Sequence, residues 1–233
     1  MTKKTLLILT FNEINGSKAL YDKIPFNLFD EVNVIDGNSS DGTIDFWKKK
    51  GHNVIIQKIP GRGAAFVEGV EATTGDHILF FSPDGNEDPE DIPKLLDTLE
   101  DECDLVIASR FMKGSKSDDA TWFRRFGNNL FTFLVNLFFR AKVRDAVNGF
   151  RAIKREKYEK LNLPPSKFEI EFQMTARAGK LKYKIIEIPT HEKDRIGGHS
   201  KAGSFSVGFS YIKVLFREVF IGKKFLKDDE KEE

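Results

Sequence analysis

Residues 34–43 read Val-Ile-Asp-Gly-Asn-Ser-Ser-Asp-Gly-Thr, and this stretch decides the fold class. The apolar run Val32–Ile35 changes within one residue into a loop of Asp, Gly, Asn and Ser, and helical spacing follows over Thr43–Lys50. A strand that leads through a polar loop into a helix is the repeating unit of parallel α/β sheets. The stretch therefore predicts an α/β fold with this loop at the carboxyl end of a strand, the place where such sheets bind ligands.

The same unit recurs through the first half of the chain. Apolar runs predict strands at Leu6–Leu9, Val32–Ile35, Val54–Gln57, His77–Phe81 and Leu105–Ala108. Helical spacing predicts helices at Ser17–Tyr21, Thr43–Lys50, Ala64–Ala72 and Pro89–Leu99. We therefore expect a mostly parallel sheet with helices on both faces.

Polar residues follow each predicted strand, and we expect them at one edge of the sheet. They are Thr10–Glu13, Asp36–Thr43, Pro60–Gly63, Ser82–Asn86 and Ser109-Arg110. Gly, Asn and Asp are also ordinary turn formers, so one such loop would indicate little. Five in series favour a nucleotide site.

The second half of the chain contains two strongly apolar helical segments, Trp122–Phe139 and Phe205–Ile221. They and the residues up to Phe225 hold eleven of the 22 phenylalanines, so aromatic side chains are concentrated there. Their polar residues fall on narrow stripes, namely Arg125, Asn128, Asn129, Thr132, Asn136 and Arg140 in the first and Ser206, Ser210, Lys213 and Arg217 in the second. A core or dimer interface would explain this pattern. The flanking cations favour helices that lie in a membrane surface, and assembly into a homo-oligomer stays open.

Composition limits the classes of partner and the cellular location that we expect. The formal net charge is +1, but Lys and Arg concentrate in residues 110–144 and 195–227, which indicates anionic ligands at particular places. These cations alternate with Phe and Leu and match no nucleic-acid motif, so we expect no nucleic-acid partner. The single cysteine, Cys103, fits a reducing compartment, and no secretory signal is visible. The longest uncharged run, Phe126–Phe139, is too short and polar to span a bilayer. We expect a cytoplasmic location.

Six motifs in combination resemble the family 2 glycosyltransferases of the GT-A fold, most closely the dolichol-phosphate mannosyltransferase-like branch. They are Thr10-Phe11-Asn12-Glu13, Val34–Thr43, Gly61-Arg62-Gly63-Ala64-Ala65, Asp84 with Asp88–Pro93, Asp145–Ile153, and Arg195 with Gly198, Ser200 and Lys201. The resemblance implies a Rossmann-like nucleotide-diphospho-sugar transferase fold with amphipathic interfacial helices. We expect a catalytic domain over residues 1–204, including an interfacial helix at about 122–141. A C-terminal amphipathic helix and charged tail would occupy residues 205–233.

The resemblance also implies a set of site residues. Donor-binding residues would be Thr10, Asn12, Glu13, Asp36, Asp41, Gly61, Arg62, Gly63 and Ser200. Catalytic residues would be Asp84, Arg195, Lys201 and Arg110, and acceptor-binding residues would be Arg124, Arg125 and Arg151. Cations at the diphosphate suit its developing negative charge.

One residue departs from the family pattern. Where the family has Asp-x-Asp, this chain has Ser82-Pro83-Asp84, so one carboxylate is missing. Mg²⁺ is often held by one or two carboxylates together with substrate phosphates. We therefore expect a Mg²⁺ or Mn²⁺ site at Asp84 and Asn86, with weaker metal affinity.

The expected reaction is inverting transfer of a sugar from a nucleotide-sugar to a polyprenyl phosphate at the cytoplasmic face of a membrane. A phosphate acceptor needs no general base, because it is already dianionic near pH 7. A soluble transferase acting on a saccharide or protein hydroxyl would need one. Glu169 and Glu171 are candidates by position, although we interpret them as exposed helix acids. A non-catalytic nucleotide- or lipid-binding relative is the third interpretation.

Overall fold

A computed structural model describes residues 2–101, 103–119, 121–197 and 204–227, with only the backbone for 101 and 204–207. Its main sheet has seven strands in the order β3-β2-β1-β4-β7-β5-β8. Their bounds are β1 Lys4–Thr10, β2 Glu31–Asp36, β3 Asn53–Ile56, β4 His77–Phe81, β5 Leu105–Ser109, β7 Arg151–Lys154 and β8 Ile185–Pro189. A small second sheet pairs β6, Lys116–Ser117, with β9, His191–Glu192, in parallel.

The main sheet is mostly parallel, which confirms the predicted fold class. Strands β1 to β4 pair in parallel, and so do β5 and β8. Strand β7 runs antiparallel between β4 and β5. The carboxyl ends of β1, β2 and β4 therefore meet at one edge, as the polar loops predicted.

Eight α-helices lie in the described part of the chain. They are α1 Ile14–Leu20, α2 Thr43–Lys49, α3 Arg62–Glu71, α4 Ile92–Asp101, α5 Trp122–Phe139, α6 Arg155–Lys160, α7 Ile170–Lys180 and α8 Ser204–Ile221. Helix α5 begins where the Thr121 hydroxyl accepts a bond from the Arg124 amide. It ends at Arg140, whose φ of 58° terminates the helix in the left-handed region.

Two apolar cores fill the two faces of the sheet. One includes Trp47 of α2 and Leu95 of α4, together with Leu79 of β4. The other joins the sheet to α3, α5, α7 and α8, through side chains such as Phe66, Phe131, Phe172 and Leu215. Helices therefore cover both faces, and α8 packs on the same core as α3, α5 and α7.

Helices α5 and α8 also carry a broad apolar face that the fold leaves exposed. We call this surface the aromatic face; it consists of Trp122, Phe123, Phe126, Leu130, Phe133, Leu137, Phe138, Phe209, Ile212, Phe216, Val219 and Phe220. Trp122 is 80% exposed and Phe220 is 81% exposed, so these rings find little cover within the chain. Among the described helices, none combines the length and apolar character that crossing a membrane requires.

Candidate active site

A cleft of about 580 Å³ opens at the carboxyl edge of the sheet. Its walls come from the loops after β1, β3, β4 and β5 and from helices α5, α7 and α8. Nine of the residues expected in the site line it: Thr10, Glu13, Gly61, Arg62, Asp84, Asn86, Arg110, Arg124 and Arg195. Four of the nine expected donor-binding residues, Thr10, Glu13, Gly61 and Arg62, thus meet in one cavity.

Asp36 holds the first two loops together from beneath the cleft. Its side chain is buried and accepts hydrogen bonds from the Thr10 hydroxyl at 2.6 Å and from the Ser39 amide and hydroxyl at 2.6 and 2.7 Å. Asn12 extends the same network, because its backbone N–H donates to Ser39 Oγ and its side-chain Oδ1 accepts from the backbone N–H of Ser40. Both residues position the loops that flank the cleft.

Asp41 anchors the start of α2. Its carboxylate accepts from the amide and hydroxyl of Thr43, at 3.0 and 2.6 Å, and from the Ile14 amide at 3.0 Å. These bonds outweigh the effect of burial and lower the pKa of Asp41, so the carboxylate stays ionised. Its role in the structure is to join α1 to α2.

Two glycines let the loop after β3 pack closely against the segment before α7. A Cβ at Gly63 would collide with Ser166, and the Gly63 amide donates to the Lys167 carbonyl at 2.7 Å. Gly61 has a φ of 131°, a conformation that favours glycine, and a Cβ there would lie 2.7 Å from the Ser166 carbonyl oxygen. These glycines place Arg62 at the cleft.

Arg62 is the centre of a buried charge network. Its Nε lies 2.5 Å from Glu171 Oε1, its Nη1 donates to Ser82 Oγ at 2.8 Å, and its Nη2 lies 3.6 Å from Glu87 Oε1. Burial opposes the charge on Arg62, but Glu171 above all outweighs it and raises the Arg62 pKa. Burial raises the pKa of Glu87 to about 8. The guanidinium therefore stands beside Ser82, where the family pattern has its first carboxylate.

Asp84 and Asn86 meet the requirements of a divalent cation in part. They lie in one tight turn around Gly85, whose φ is 102°, and the backbone N–H of Asn86 donates to Asp84 Oδ1 at 3.0 Å. Asp84 Oδ2 lies 2.7 Å from Arg195 Nη1. Within the described residues, no three His, Cys, Asp or Glu side chains form a metal cluster. The two oxygen-bearing side chains fit Mg²⁺ or Mn²⁺ only with diphosphate oxygens completing the shell and with Arg195 moved from Asp84.

Arg110 and Arg124 form the far wall of the cleft. Asp145 binds Arg110 at 2.7 and 2.9 Å, and Glu192 binds it at 2.9 Å. Burial opposes the charge, but these carboxylates raise the Arg110 pKa and more than balance its charge. Arg124 lies 3.0 Å from Asp119 and remains partly exposed. Arg124 is therefore the more available of the two guanidinium groups.

Two expected acceptor residues lie elsewhere, which corrects the sequence-based assignment. Arg151 is 0% exposed, and its guanidinium donates to the carbonyls of Asn148 and Glu171 and to Thr175 Oγ1. It links the turn before β7 to α7 and is closed off from any acceptor. Arg125 lines a separate cavity on the other side of α5. Adjacent residues of a helix point about 100° apart, so Arg124 and Arg125 cannot share one wall.

The sequence analysis missed one carboxylate of the cleft, Glu87, and misjudged a second, Glu171. Interpreting Glu171 as an exposed helix acid was wrong, because it is buried against Arg62. The signal was present, since an Arg in a glycine loop needs a buried counter-charge, but the sequence does not say which carboxylate supplies it. Expected residues Ser200 and Lys201 lie outside the described residues.

Comparison with known proteins identifies relatives of this chain. The sequence profile of glycosyl transferase family 2 matches residues 5–161. Glycosyltransferase AglJ of Haloferax volcanii is 30% identical over 79% of this chain and 61% of its own length. Dolichol-phosphate mannosyltransferase of Pyrococcus furiosus is 28% identical over 92% of this chain and 63% of its own. The chain thus spans about three fifths of these two relatives. Dolichyl-phosphate hexose transferase of H. volcanii is 29% identical over 81% of this chain and 82% of its own.

The fold also matches solved structures. Glucosyl-3-phosphoglycerate synthase from Mycobacterium tuberculosis, in complex with Mn²⁺, UDP and glucosyl-3-phosphoglycerate, superposes with a TM-score of 0.70. The match covers 97% of this chain and 81% of that one at 20% identity. At 20% identity the similarity shows the fold alone, and the donor and acceptor of that enzyme are not assigned to this chain.

Proposed function

Because the chain belongs to glycosyl transferase family 2 and is a glycosyltransferase of the dolichol-phosphate mannosyltransferase-like branch, we propose that its acceptor is a polyprenyl phosphate, glycosylated with inversion at a membrane surface. The donor in this proposal is a nucleotide-diphospho-sugar. The proposed location is the cytoplasmic face of a membrane, with the protein bound peripherally.

The shape of the cleft carries this proposal. From the donor loops it continues between α5 and α8, where Phe123, Phe131 and Tyr211 line it. Gly127 of α5 and Gly208 of α8 line the same stretch, and a Cβ on either would meet nothing within 4 Å. An open, partly aromatic passage from a charged site to an exposed apolar surface suits an acceptor with a phosphate head and a hydrocarbon tail.

The donor side of the cleft suits a leaving diphosphate. Arg195 and Arg62 present guanidinium groups to the cavity, and Asp84 and Asn86 would hold a divalent cation. That cation would neutralise the negative charge that develops on the diphosphate. When the diphosphate is bound, we expect Arg195 to exchange Asp84 for phosphate oxygens, since an arginine fork binds both groups well.

The acceptor side needs no proton transfer. An oxygen of the acceptor phosphate forms a bond to the anomeric carbon as the bond from that carbon to the diphosphate breaks, and the nucleoside diphosphate leaves. Arg124 would hold the acceptor phosphate at the wall opposite the donor loops. A hydroxyl acceptor would need a base. The buried carboxylates Glu87 and Glu171 both face Arg62, which disfavours that role.

The aromatic face supplies the proposed membrane contact. Exposed apolar surface of this extent marks an interaction site. Exposed cations border it, among them Arg125 and Lys213, and Trp122 lies at one end. A bilayer surface offers both hydrocarbon for the rings and anionic headgroups for the cations. A second copy of the chain would bury the rings but would bring like charges together.

The deciding experiment supplies purified protein with a panel of nucleotide-sugars, with and without Mg²⁺ or Mn²⁺, and then with acceptors. We expect transfer to a polyprenyl phosphate in vesicles, and little transfer to a saccharide or to a peptide hydroxyl. Transfer to a soluble hydroxyl instead would establish the alternative transferase. Donor binding without hydrolysis or transfer to any acceptor would indicate a non-catalytic relative.

A further inference from the structure

A second, polar cavity lies on the outer side of α5, away from the cleft. It measures about 410 Å³ and opens between α5 and the segment that joins β5 to β6. Phe111, Ser115 and Lys116 line it from that segment, and Arg125 and Asn129 line it from the helix. Arg110 reaches both cavities, but Asp145 and Glu192 already bind its guanidinium. The cavity is therefore not an extension of the donor site.

The rim of this cavity carries unbalanced positive charge. Arg125 is exposed and lies over the Phe111 ring at 5.8 Å, and it has no ion-pair partner in the part of the chain that the structure describes. Lys116 pairs with Asp118 at 2.8 Å, but both side chains are well exposed, so the pair is weak. Lys113 is exposed on the same segment. Two cations of the lining, Arg125 and Lys116, thus stand against one carboxylate, Asp118.

The cavity also borders the aromatic face. Arg125 and Asn129 lie one turn apart on α5, and Trp122, Phe126 and Phe133 share that side of the helix by three- and four-residue spacing. The rings of Trp122 and Phe126 stack at 6.1 Å and are exposed. If these rings enter a bilayer, Arg125 and Asn129 lie at the depth of the lipid headgroups.

We propose that this cavity binds the phosphate of an anionic membrane lipid, separately from the acceptor phosphate in the cleft. The Arg125 guanidinium forms two parallel bonds to phosphate oxygens, the Asn129 amide donates a third, and Lys116 adds charge. The headgroup fixes the rotation of α5 in the membrane and so keeps the mouth of the cleft facing the lipid. This inference rests on the membrane contact of the proposed function and not on its chemistry.

The test compares variants that lose the same charge at the same surface. Lys213 is the matched control for Arg125, because it is exposed, lies over the Phe209 ring at 4.7 Å and is on α8, away from the cavity. Sedimentation is measured with vesicles of phosphatidylcholine alone and with added phosphatidylglycerol. On the anionic vesicles we expect Lys213→Gln to weaken binding about fivefold, the value of one cation near the surface. Arg125→Gln should weaken it at least about tenfold, because bidentate bonds are lost as well.

Two further variants make the result specific. Arg125→Lys keeps the charge and loses the fork, so it should fall between the wild type and Arg125→Gln. Asn129→Leu keeps the apolar surface and should weaken binding to anionic vesicles only. Equal losses in Arg125→Gln and Lys213→Gln would overturn the site and leave general charge attraction. A wild-type protein that binds no vesicle would instead overturn the membrane part of the proposed function.

Free phosphate is the other source of the same chemistry, and a calorimetric titration with inorganic phosphate separates the two. We expect no Arg125-dependent binding of inorganic phosphate at millimolar concentration, and no release of the protein from anionic vesicles by it. Phosphate binding that disappears in Arg125→Gln, together with unchanged vesicle binding, would assign the cavity to a soluble phosphate and overturn the lipid proposal.

Discussion

The donor end and the α5–α8 end of the cleft place their charged side chains in opposite ways. At the donor end, charged side chains face each other across the cavity, as Arg195 does with Asp84 and Arg62 with Glu171. At the α5–α8 end, a buried charge cluster lies on the inner side and aromatic rings face outward. Glu218 of α8 is 0% exposed and is bound by Arg177 at 2.9 Å and Lys180 at 2.6 Å.

This difference shows that α5 and α8 are held by polar contacts, which leaves their apolar sides free. Thr132 accepts from the Ala146 amide, and Asn136 bonds both backbone groups of Val143. Burial opposes the charge of Glu218, but its bonds to Arg177 and Lys180 outweigh burial and lower its pKa. A helix fixed in this way can present its exposed phenylalanines without needing those rings for folding. The two ends should therefore respond to different substitutions.

Removing the aromatic face should produce the largest effect. Phe133, Phe138, Phe209 and Phe216 are exposed, and replacing all four with Ser removes about half the burial energy of each ring from a bilayer. That is roughly 4 kcal/mol in all, or about a 1000-fold loss of vesicle partitioning. Sedimentation with vesicles measures it, and donor binding should persist because these rings are absent from the donor end.

The control for this variant is Ile56→Ser with Ile59→Ser, which removes exposed apolar side chains from β3 and the loop after it rather than from α5 or α8. It should sediment like the wild type. Phe131 is unsuitable for the test, since it is 8% exposed and packs on Phe172 and Tyr211. A quadruple variant that unfolds or changes oligomeric state would show that the rings serve core or dimer packing.

The donor end should depend instead on Asp84. We expect Asp84→Asn to lower turnover at least about 100-fold, the scale of losing one key electrostatic stabiliser. Vesicle binding should not change. Asp97→Asn, on the exposed side of α4, is the control. Near-normal turnover of Asp84→Asn would remove this residue from the reaction.

Ser82→Asp sharpens the same test in the opposite direction. The new carboxylate would lie beside Arg62 and restore the family pattern, so Mn²⁺ affinity should rise in the presence of a nucleoside diphosphate. Calorimetry measures it independently of turnover. Unchanged Mn²⁺ affinity would mean that Arg62, which lies beside residue 82, prevents a carboxylate there from binding the metal.

Sequence periodicity predicted the bounds of some elements correctly. Strand β4 and helix α5 have the predicted ends, because a short apolar run between turn signals and a long 3.6-residue pattern are both strong local signals. Strands β7 and β8 were missed. Arg151–Lys154 begins and ends with cations and is too short to show alternation. Its place in the sheet comes from β4 and β5, which lie far away in sequence.

The direction of a side chain was the harder problem. The polar stripe of α5 did not indicate which way it faces; Thr132 and Asn136 face the protein because backbone groups of residues 143–146 need partners there. Arg151 matched a family motif but is buried among carbonyl groups. Motifs identified which residues matter, and non-local hydrogen bonds decided whether they line the cleft or support it.

A buried proton at the donor end should make stability depend on pH. Burial raises the pKa of Glu87 from 4.5 to about 8, against the opposing charge of Arg62. The folded state then holds a proton that the unfolded state has lost. Its contribution is fully present below pH 4.5 and is lost as the pH rises through about 8.

Glu87→Gln tests this, because the amide oxygen can still accept from the Ser82 amide. Between pH 6 and 9 the wild type should lose about 2 kcal/mol of unfolding free energy more than the variant does. Denaturant unfolding at several pH values measures the difference. Glu90→Gln, an exposed neighbour, should follow the wild type. Parallel curves for the wild type and Glu87→Gln would mean that Arg62 keeps Glu87 ionised.

The smallest expected effect lies where the two ends meet, at Gly127. A glycine inside a helix costs about 1 kcal/mol relative to Ala or Leu, yet α5 keeps one where the cleft passes between α5 and α8. A Cβ there meets nothing within 4 Å, so neither Ala nor Leu is excluded by packing.

If this passage holds the hydrocarbon tail of the acceptor, Gly127→Leu should stabilise the fold, raising the Tm by roughly 2–4 °C, while filling the passage. We expect kcat/KM for a long polyprenyl phosphate to fall about tenfold, and less for a short-chain one, with nucleoside diphosphate binding retained. Gly127→Ala should give the same gain in Tm with a smaller loss, since it adds only a methyl group. Because the variant is more stable than the wild type, lost transfer could not be blamed on unfolding. A Leu variant that used long and short acceptors equally well would move the lipid tail out of the passage and onto the open aromatic face.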